Sequence, residues 1–344
     1  MTRSTPDAEP IIDPDLAIID AHHHLWDRPG DRYLADEFLC DMESGHRILS
    51  TVFVQCRSMH RSDGPESMRP VGETEFVNGV AAMFASGTYG EIRACDAIVG
   101  RADLSLGAAV EEVLAAHLAA GGGRFRGIRD LLAWDANPAA HPTGYTNFLG
   151  RAYDPAFREG FARLAPLGLT YDAWQYHTQL ADIADLARAF PDTGIIVDHC
   201  GTPVGIGPYA GRHAELYEDW RTSVVALASF PNVAMKLGGL GMHYVDFGFD
   251  RATVSSVELA RTWRPYIETC IEAFGPERCM FESNFPVDGY SATYRQTWNA
   301  FKRIAGQYSA DEKHKLFSGT AARLYRIADP AERAAQTEEP LHAA

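Results

Sequence analysis

The sequence is poor in basic residues. Its 344 residues include 31 lysines and arginines against 46 aspartates and glutamates, which gives a formal net charge of −15. A protein that binds a phosphate backbone carries a basic face, so this balance disfavours nucleic-acid binding. It equally disfavours docking on an anionic membrane. The expected partner is therefore a small-molecule substrate, and association into a homo-oligomer is left open.

Long apolar runs and paired cysteines are also missing. No segment approaches the roughly 20 apolar residues that a membrane-spanning helix requires, and the first residues lack the apolar core of a signal peptide. The six cysteines are scattered without a Cys-x-x-Cys pair, which predicts free thiols in a reducing compartment. These absences together predict a cytoplasmic protein.

The first hydrophobic strand carries the most informative motif. Residues 17–26 read AIIDAHHHLW, a β-branched apolar run that leads directly into three histidines. Side chains alternate between the faces of a strand, so His22 and His24 point one way and His23 the other. Two imidazoles on one face make a preformed pair of metal ligands, because neutral histidine is the commonest nitrogen donor for zinc, iron and cobalt. A solvent-exposed histidine cluster is the alternative, but such clusters are typical of tags and loops.

Strands and helices alternate along the rest of the chain. Further strands are predicted at residues 49–56, 95–100, 126–129, 169–174, 194–199, 232–237 and 278–284, and nearly every one precedes a helical pattern. Eight such units predict an α/β fold, a single-domain (β/α)8 TIM barrel. A doubly wound sheet is disfavoured because no glycine-rich turn follows the first strand. We place the barrel at residues 16–328, between a disordered arm (1–15) and a disordered tail (329–344).

Polar residues at the C-terminal ends of barrel strands share one mouth and are candidate site residues. His177 follows the fifth strand, His199 ends the sixth, and Glu282 and Asn284 share a face of the eighth. An inward carboxylate such as Glu282 is costly to bury unless it is paired or bound to metal. Glu73, after the second strand, is a second candidate, with stabilisation of a helix N-terminus as its alternative role. Four histidines and two glutamates fit two divalent transition metals, iron with or without manganese. The predicted metal ligands are His22, His24, Glu73, His177, His199 and Glu282.

Other polar and aromatic residues suggest how a substrate is bound. Arg129, at the end of the fourth strand, and Lys236, on the seventh, are candidates for binding a substrate carboxylate, with a structural ion pair as the alternative. Loops near the mouth carry residues able to line an apolar pocket for a small or medium-sized organic molecule, or to pack within the protein. They are Trp134, Tyr145, Trp174, Met242, His243 and Tyr244, of which Trp174 and His243 are taken as substrate-binding.

Four motifs together resemble the amidohydrolase-related family, and within it the lactonase-like group of metal-dependent TIM barrels. The similarity extends from about residue 17 to residue 327. The motifs are Asp20-x-His22-x-His24, Gly127-Ile-Arg129, Val197-Asp198-His199-Cys-Gly201 and Met280-Phe-Glu-Ser-Asn-Phe-Pro286. The resemblance implies that His22, His24, His199 and an aspartate on the eighth strand hold a divalent metal or bind substrate. It also implies that this aspartate deprotonates the attacking water.

The eighth-strand motif departs from the family pattern. Gly-Ser-Asp-Trp-Pro is replaced by Glu282-Ser283-Asn284-Phe285-Pro286. An amide cannot accept a proton near neutral pH, so Asn284 cannot be the general base of a hydrolase. With its added glutamate, the strand resembles a branch of the superfamily that uses a dinuclear non-heme iron or mixed-metal site to activate oxygen.

Three functional hypotheses are therefore in competition. A dinuclear iron monooxygenase is favoured, with Asn284 and His199 at the reacting centre and Asp20 and Asp198 in supporting roles. The alternative is a hydrolase of a lactone, ester or amide, with zinc, in which a metal-bound water is the nucleophile. Its base would be His177, His199, Glu282 or Asp288. A non-catalytic partner subunit is disfavoured because such a barrel has no need to keep four imidazoles at one mouth.

Overall fold

Ten short strands form the framework of the part of the protein that the structure describes. The computed structural model describes residues 9–142 and 148–329. The strands are β1 (Ala17–His23), β2 (Trp26–Arg28), β3 (Asp31–Tyr33), β4 (Arg47–Val54), β5 (Arg93–Gly100), β6 (Phe125–Ile128), β7 (Thr170–Ala173), β8 (Ile195–Val197), β9 (Val233–Leu237) and β10 (Cys279–Phe281).

Eight of these strands make one parallel sheet in the order β1-β4-β5-β6-β7-β8-β9-β10. The sheet closes where the chain leaves β10. The Asn284 amide donates to the His22 carbonyl at 2.9 Å, and the His24 amide donates to the Phe285 carbonyl at 2.8 Å. The first and last strands are thereby joined, which confirms the predicted (β/α)8 barrel. Strands β2 and β3 form a separate antiparallel hairpin directly after β1.

Helices follow the barrel strands and cover the outside of the sheet. Several begin with a matched cap: at the start of α7 the Ser255 hydroxyl accepts from the Glu258 amide, and the Glu258 carboxylate accepts from the Ser255 amide. The helices are α1 (Ala35–Met42), α2 (Val71–Ala85), α3 (Val110–Ala120), α4 (Pro155–Phe161), α5 (Leu180–Ala189), α6 (His213–Leu227), α7 (Ser256–Phe274), α8 (Tyr294–Ile304), α9 (Ala310–His314) and α10 (Thr320–Tyr325), with a π-helical turn at Lys315–Gly319.

The buried apolar residues form distinct layers. The largest layer lies between the helices and the outer face of the sheet. A smaller cluster combines alternate residues of the strands, such as Val52, Val54 and Met280, with Tyr325 of α10. This inner cluster fills the barrel on the side covered by α10, so polar chemistry is left to the opposite end. No helix among the described residues is both long enough and apolar enough to cross a membrane.

The described part of the predicted N-terminal arm is not loose. The Ile12 amide donates to Asn299 at 3.0 Å, Glu9 accepts from the Ser256 amide at 2.8 Å, and Lys302 donates to the Asp13 carbonyl at 2.7 Å. Residues 9–15 therefore lie against α7 and α8, because their carbonyl and carboxylate oxygens find donors on those helices. The rest of the arm (1–8) and the predicted tail from residue 330 lie outside the described residues, as does Tyr145.

Candidate metal and catalytic site

His22, in β1, and His24, directly after it, meet at the mouth of the barrel. Their Nε2 atoms lie 3.3 Å apart, and both side chains are buried. His23 points to the opposite face, where it lies 2.9 Å from the Thr51 hydroxyl and stacks on Phe38. The alternation of the strand thus separates the three neighbouring histidines as predicted.

Hydrogen bonds to the other ring nitrogens indicate which Nε2 atoms carry no proton. His24 Nδ1 lies 2.7 Å from the Val54 carbonyl, which only accepts, so Nδ1 bears the hydrogen. His22 Nδ1 lies 2.8 Å from a Glu282 oxygen, which favours the same tautomer. Burial lowers the pKa of His22 to about 4, so its ring is neutral at pH 7. Two Nε2 lone pairs therefore face each other at the head of β1.

Glu282 holds two of the histidines by their outer nitrogens. Its Oε1 accepts from His199 Nδ1 at 2.7 Å and from the His199 amide at 2.9 Å, while Oε2 lies beside His22. Burial alone would raise the pKa of Glu282, but His199 and His22 bring it down to about 2. Both carboxylate oxygens are thus turned to imidazole nitrogens. The structure places Glu282 as a residue that orients histidines, whereas the sequence predicted a metal ligand.

An ion-pair network lies directly beneath the histidines. Lys236 Nζ lies 2.7 Å from Asp172 and 3.1 Å from Asp198, and Arg129 Nη1 lies 3.3 Å from Asp198. The same Arg129 nitrogen lies 3.3 Å from His22 Nε2. Lys236 is fully buried in this network and does not line the cavity above it. Two buried carboxylates compensate its charge, which matches the structural ion pair given as its alternative role, and its predicted role in binding substrate stays a prediction.

Asp198 is more central than its sequence position suggested. Its carboxylate lies 3.6 Å from His22 Nδ1, and donor atoms of His22, Asp198 and His199 lie within 4.8 Å of one another. Asp20, in contrast, has the supporting role that was expected. It accepts hydrogen bonds from the Ser283 amide and hydroxyl and from the Tyr294 hydroxyl, which fixes the segment after β10 against β1.

Two predicted ligands are not brought to this cluster. His177 begins a short 3₁₀ turn, its Nδ1 accepts from the Val204 amide at 3.1 Å, and its ring lines a separate small cavity. Glu73 lies in the first turn of α2 and accepts from the amides of Cys56 and Ser58, each at 2.9 Å. Both side chains satisfy local backbone donors, so each takes the structural role.

Asn284 and Asp288 form a pair beside the histidines. The Asn284 side-chain amide donates to Asp288 at 2.7 Å, and the other Asp288 oxygen accepts from the Gly241 amide at 2.9 Å. Burial raises the pKa of Asp288 to about 7. Asn284 lines the cavity, whereas Asp288 does not, and the Asn284 Oδ1 atom has no hydrogen-bond partner among the described residues.

Glycines allow the loop after β9 to approach the site. Gly239 has φ +65°, and a Cβ there would lie 2.3 Å from Nδ1 of His199. A Cβ on Gly238 would lie 2.3 Å from the Glu282 carbonyl oxygen. Only glycine fits at these two positions, so the loop packs directly on the His199–Glu282 pair.

A cavity of about 810 Å³ opens above the histidines. His24, His199 and Asn284 lie on its wall. Three of the four residues predicted to bind substrate lie there too, namely Arg129, Trp174 and His243. Sequence reasoning missed its other arginines, which lie in separate loops without a shared motif. The wall also includes Trp26, Arg28, Asp31, Arg57, Met242, Tyr244 and Arg251.

Comparisons with known proteins agree with this architecture. The sequence profile described as amidohydrolase matches residues 19–327. The protein y4mH of Sinorhizobium fredii is 36% identical over 337 residues, covering 91% of this chain and 99% of that protein. An L-fucono-1,5-lactonase of Burkholderia multivorans is 27% identical, covering 91% and 97%. A crystal structure of a B. multivorans amidohydrolase with bound zinc is 26% identical, with a TM-score of 0.70 and coverage of 91% and 100%. The chain therefore belongs to the amidohydrolase family.

Proposed function

We propose that this protein hydrolyses a lactone at the mouth of the barrel, with one divalent cation held by His22 and His24. Two L-fucono-1,5-lactonases from Burkholderia species, 27% and 25% identical to the chain, support the choice of a cyclic ester. The B. multivorans amidohydrolase with bound zinc supports a metal in this type of barrel.

The single observation that carries the proposal is the 3.3 Å separation of the two Nε2 atoms. Tetrahedral zinc with Zn–N bonds of about 2.0–2.1 Å separates its nitrogen ligands by roughly 3.3–3.4 Å. Two unprotonated nitrogens at this distance repel each other unless a cation lies between them. Arg129 donates toward the Nε2 lone pair of His22 and so competes with a cation for it. When a cation binds this nitrogen, the ion pair with Asp198 still holds the Arg129 guanidinium.

Bound there, a divalent cation would polarise the lactone carbonyl and favour deprotonation of water. The protein must supply a base that reaches the cavity, and the geometry favours one of the four candidates. His177 lies elsewhere, both oxygens of Glu282 face histidines, and Asp288 is not on the cavity wall. His199 lies on the wall and bears its hydrogen on Nδ1 toward Glu282, so its Nε2 is able to accept a proton.

The reaction follows from that tautomer. His199 Nε2 accepts a proton from water as the water oxygen attacks the carbonyl carbon, and Glu282 stabilises the imidazolium that forms. The bond between the carbonyl carbon and the ring oxygen then breaks. The departing alkoxide takes the proton back from His199, and the product is a hydroxy acid. Asn284 lies on the cavity wall, and its side-chain amide neither gains nor loses a proton during the reaction.

The monooxygenase hypothesis loses the ligand set on which it was based. Within the described residues, His177 and Glu73 do not join the cluster, and Glu282 is engaged by two histidines. The remaining nitrogens suit one cation rather than two. The hydrolase alternative needs no second metal and no electron donor, and it is the function that the site supports best.

The proposal is tested by assaying a panel of γ- and δ-lactones with a pH indicator, in air and under argon. We expect turnover that does not depend on oxygen. His199→Gln should lower kcat by about 10²–10⁴-fold with little change in KM. His314→Gln, on exposed α9, is the matched control. Oxygen consumption without lactone turnover, or full activity in His199→Gln, would contradict the proposal.

A further inference from the structure

Glu73 holds two backbone amides that flank a residue of the cavity wall. One of its carboxylate oxygens, Oε1, accepts from the Cys56 amide and from the Ser58 amide, each at 2.9 Å. The residue between them, Arg57, has φ +64°, which lies in the left-handed region. Successive amides around a left-handed residue form a concave nest that binds an anionic oxygen. Glu73, buried in the first turn of α2, supplies that oxygen from within the protein.

Cys56 is also held from the side of the β2–β3 hairpin. Its carbonyl accepts from Arg28 Nη2 at 3.2 Å, and its thiol donates to the Leu25 carbonyl at 3.4 Å. The guanidinium carbon of Arg28 lies 4.0 Å from the centre of the Trp26 ring. One residue of the loop after β4 therefore links the start of α2, through its amide, to the hairpin, through its carbonyl.

The segment that Glu73 holds belongs to the cavity wall. Cys56 and Arg57 line the cavity beside Trp26 and Arg28, whereas Glu73 itself is not on the wall. Glu73 therefore acts on a molecule in the cavity only through the segment whose amides it accepts. A left-handed backbone is unfavourable for a residue with a Cβ, so Arg57 would leave this conformation if the shared acceptor were withdrawn. The side chains of Cys56 and Arg57 would then move relative to the rest of the wall.

We propose that Glu73 is a positioning residue, which holds residues 56–58 in the conformation that binds substrate through the placement of one oxygen rather than through its charge. The expected effect on substrate binding rests on the proposed function. Two other roles, stabilisation of a helix N-terminus and ligation of a metal, depend on the negative charge instead. The second oxygen, Oε2, is buried, has no hydrogen-bond partner among the described residues and lies 3.8 Å from Nε2 of His60. An amide NH₂ group in its place would therefore displace no hydrogen bond.

Two variants separate the placement of the oxygen from its charge. Glu73→Gln keeps an oxygen that accepts both amides but removes the charge, whereas Glu73→Asp keeps the charge and withdraws the oxygen by one carbon–carbon bond. We expect Glu73→Asp to raise KM for the lactone about fivefold or more, with kcat within about twofold of wild type. Glu73→Gln should keep both constants near their wild-type values, and metal content should be equal in all three proteins. A larger loss in Glu73→Gln than in Glu73→Asp, or an unchanged KM in both, would overturn the inference.

Hydrogen exchange of the Cys56 and Ser58 amides separates this inference from the proposed function, because it requires no turnover. Both amides should exchange about tenfold faster or more in Glu73→Asp than in wild type, and at the wild-type rate in Glu73→Gln. Val113→Ala, at a buried position of α3 away from the cavity wall, controls for a general loss of stability and should not single out these amides. If no lactone is hydrolysed but the exchange rates change as expected, the proposed function fails and the positioning by Glu73 stands. If lactones are hydrolysed and the two amides exchange equally in all the proteins, the inference is wrong and the proposed function stands.

Discussion

At the scale of single residues, the chemistry depends on which nitrogen of each histidine carries the proton. Val54 and Glu282 accept from the Nδ1 atoms of His24 and His199, and Glu282 also lies beside Nδ1 of His22. The three Nε2 atoms are thereby kept for a cation, a proton or a substrate. A carboxylate that accepts from the His199 imidazole and lies beside the His22 imidazole is what makes this arrangement self-consistent.

Replacement of Glu282 by glutamine should disrupt that arrangement. The new NH₂ group would donate to one of the two Nδ1 atoms, and the hydrogen of that ring would move to Nε2. We expect kcat/KM and metal content to fall by about 10–100-fold, measured by lactone hydrolysis and by metal analysis. Glu218→Gln, on the exposed face of α6, is the control. Wild-type metal content and activity in Glu282→Gln would show that the carboxylate does not orient the histidines.

The sequence predicted the positions of these residues better than their roles. Alternation along β1 is a property of any strand, so the convergence of His22 and His24 was predictable. The position of the His177 ring was not predictable. The chain forms a 3₁₀ turn after β7, and this turn places the ring against the Val204 amide. Whether Glu282 meets a metal or a histidine depends on distances across the barrel, which no local pattern contains.

At the scale of elements, the barrel strands could be predicted from the sequence because parallel buried strands are continuous apolar runs. Every predicted barrel strand overlaps an observed one, with ends shifted by a few residues. The stretch after β1 holds the β2–β3 hairpin and α1, for which the sequence analysis predicts no element. Phe38 and Met42 of α1 are buried four residues apart, a short helical pattern among polar residues. The hydrogen bonds by which Asp20 joins the first strand to the last could not be predicted either, since its partners Ser283 and Tyr294 are more than 260 residues away.

The contact of α3 with the barrel predicts a specific pH dependence of stability. His117 on α3 lies 2.8 Å from Thr74 and 2.9 Å from the Arg101 carbonyl, and it stacks on Phe125. Burial lowers its pKa from 6.5 to about 4. Between these values the unfolded chain binds a proton that the folded protein excludes, so acid favours unfolding. This histidine should contribute a stability loss of at most roughly 3 kcal/mol as the pH falls from 6.5 to 4.

Urea unfolding of wild type and His117→Gln at several pH values checks this expectation. The variant should be less stable at pH 7, because it loses the ring stacking and a buried hydrogen bond. The difference in unfolding free energy should shrink as the pH is lowered. Parallel stability curves for the two proteins from pH 7 to pH 4.5 would contradict the account of His117.

At the scale of the whole molecule, overall charge and local charge point in opposite directions. A net charge of −15 disfavours nucleic acid and anionic membranes as partners, and those expectations stay predictions. The cavity wall nevertheless carries four arginines, Arg28, Arg57, Arg129 and Arg251. Because they are spread along the sequence from residue 28 to residue 251, only the closed barrel brings them together.

The central claim is that one divalent cation lies between His22 and His24 in a lactone hydrolase. The most direct test is metal analysis of protein produced with iron and zinc both supplied, together with anaerobic lactone turnover before and after chelation. We predict about one equivalent of metal per chain, loss of turnover on chelation, recovery on adding one equivalent of zinc, and little metal in His24→Gln. Two equivalents that include iron, or undiminished turnover by metal-free protein, would contradict the claim.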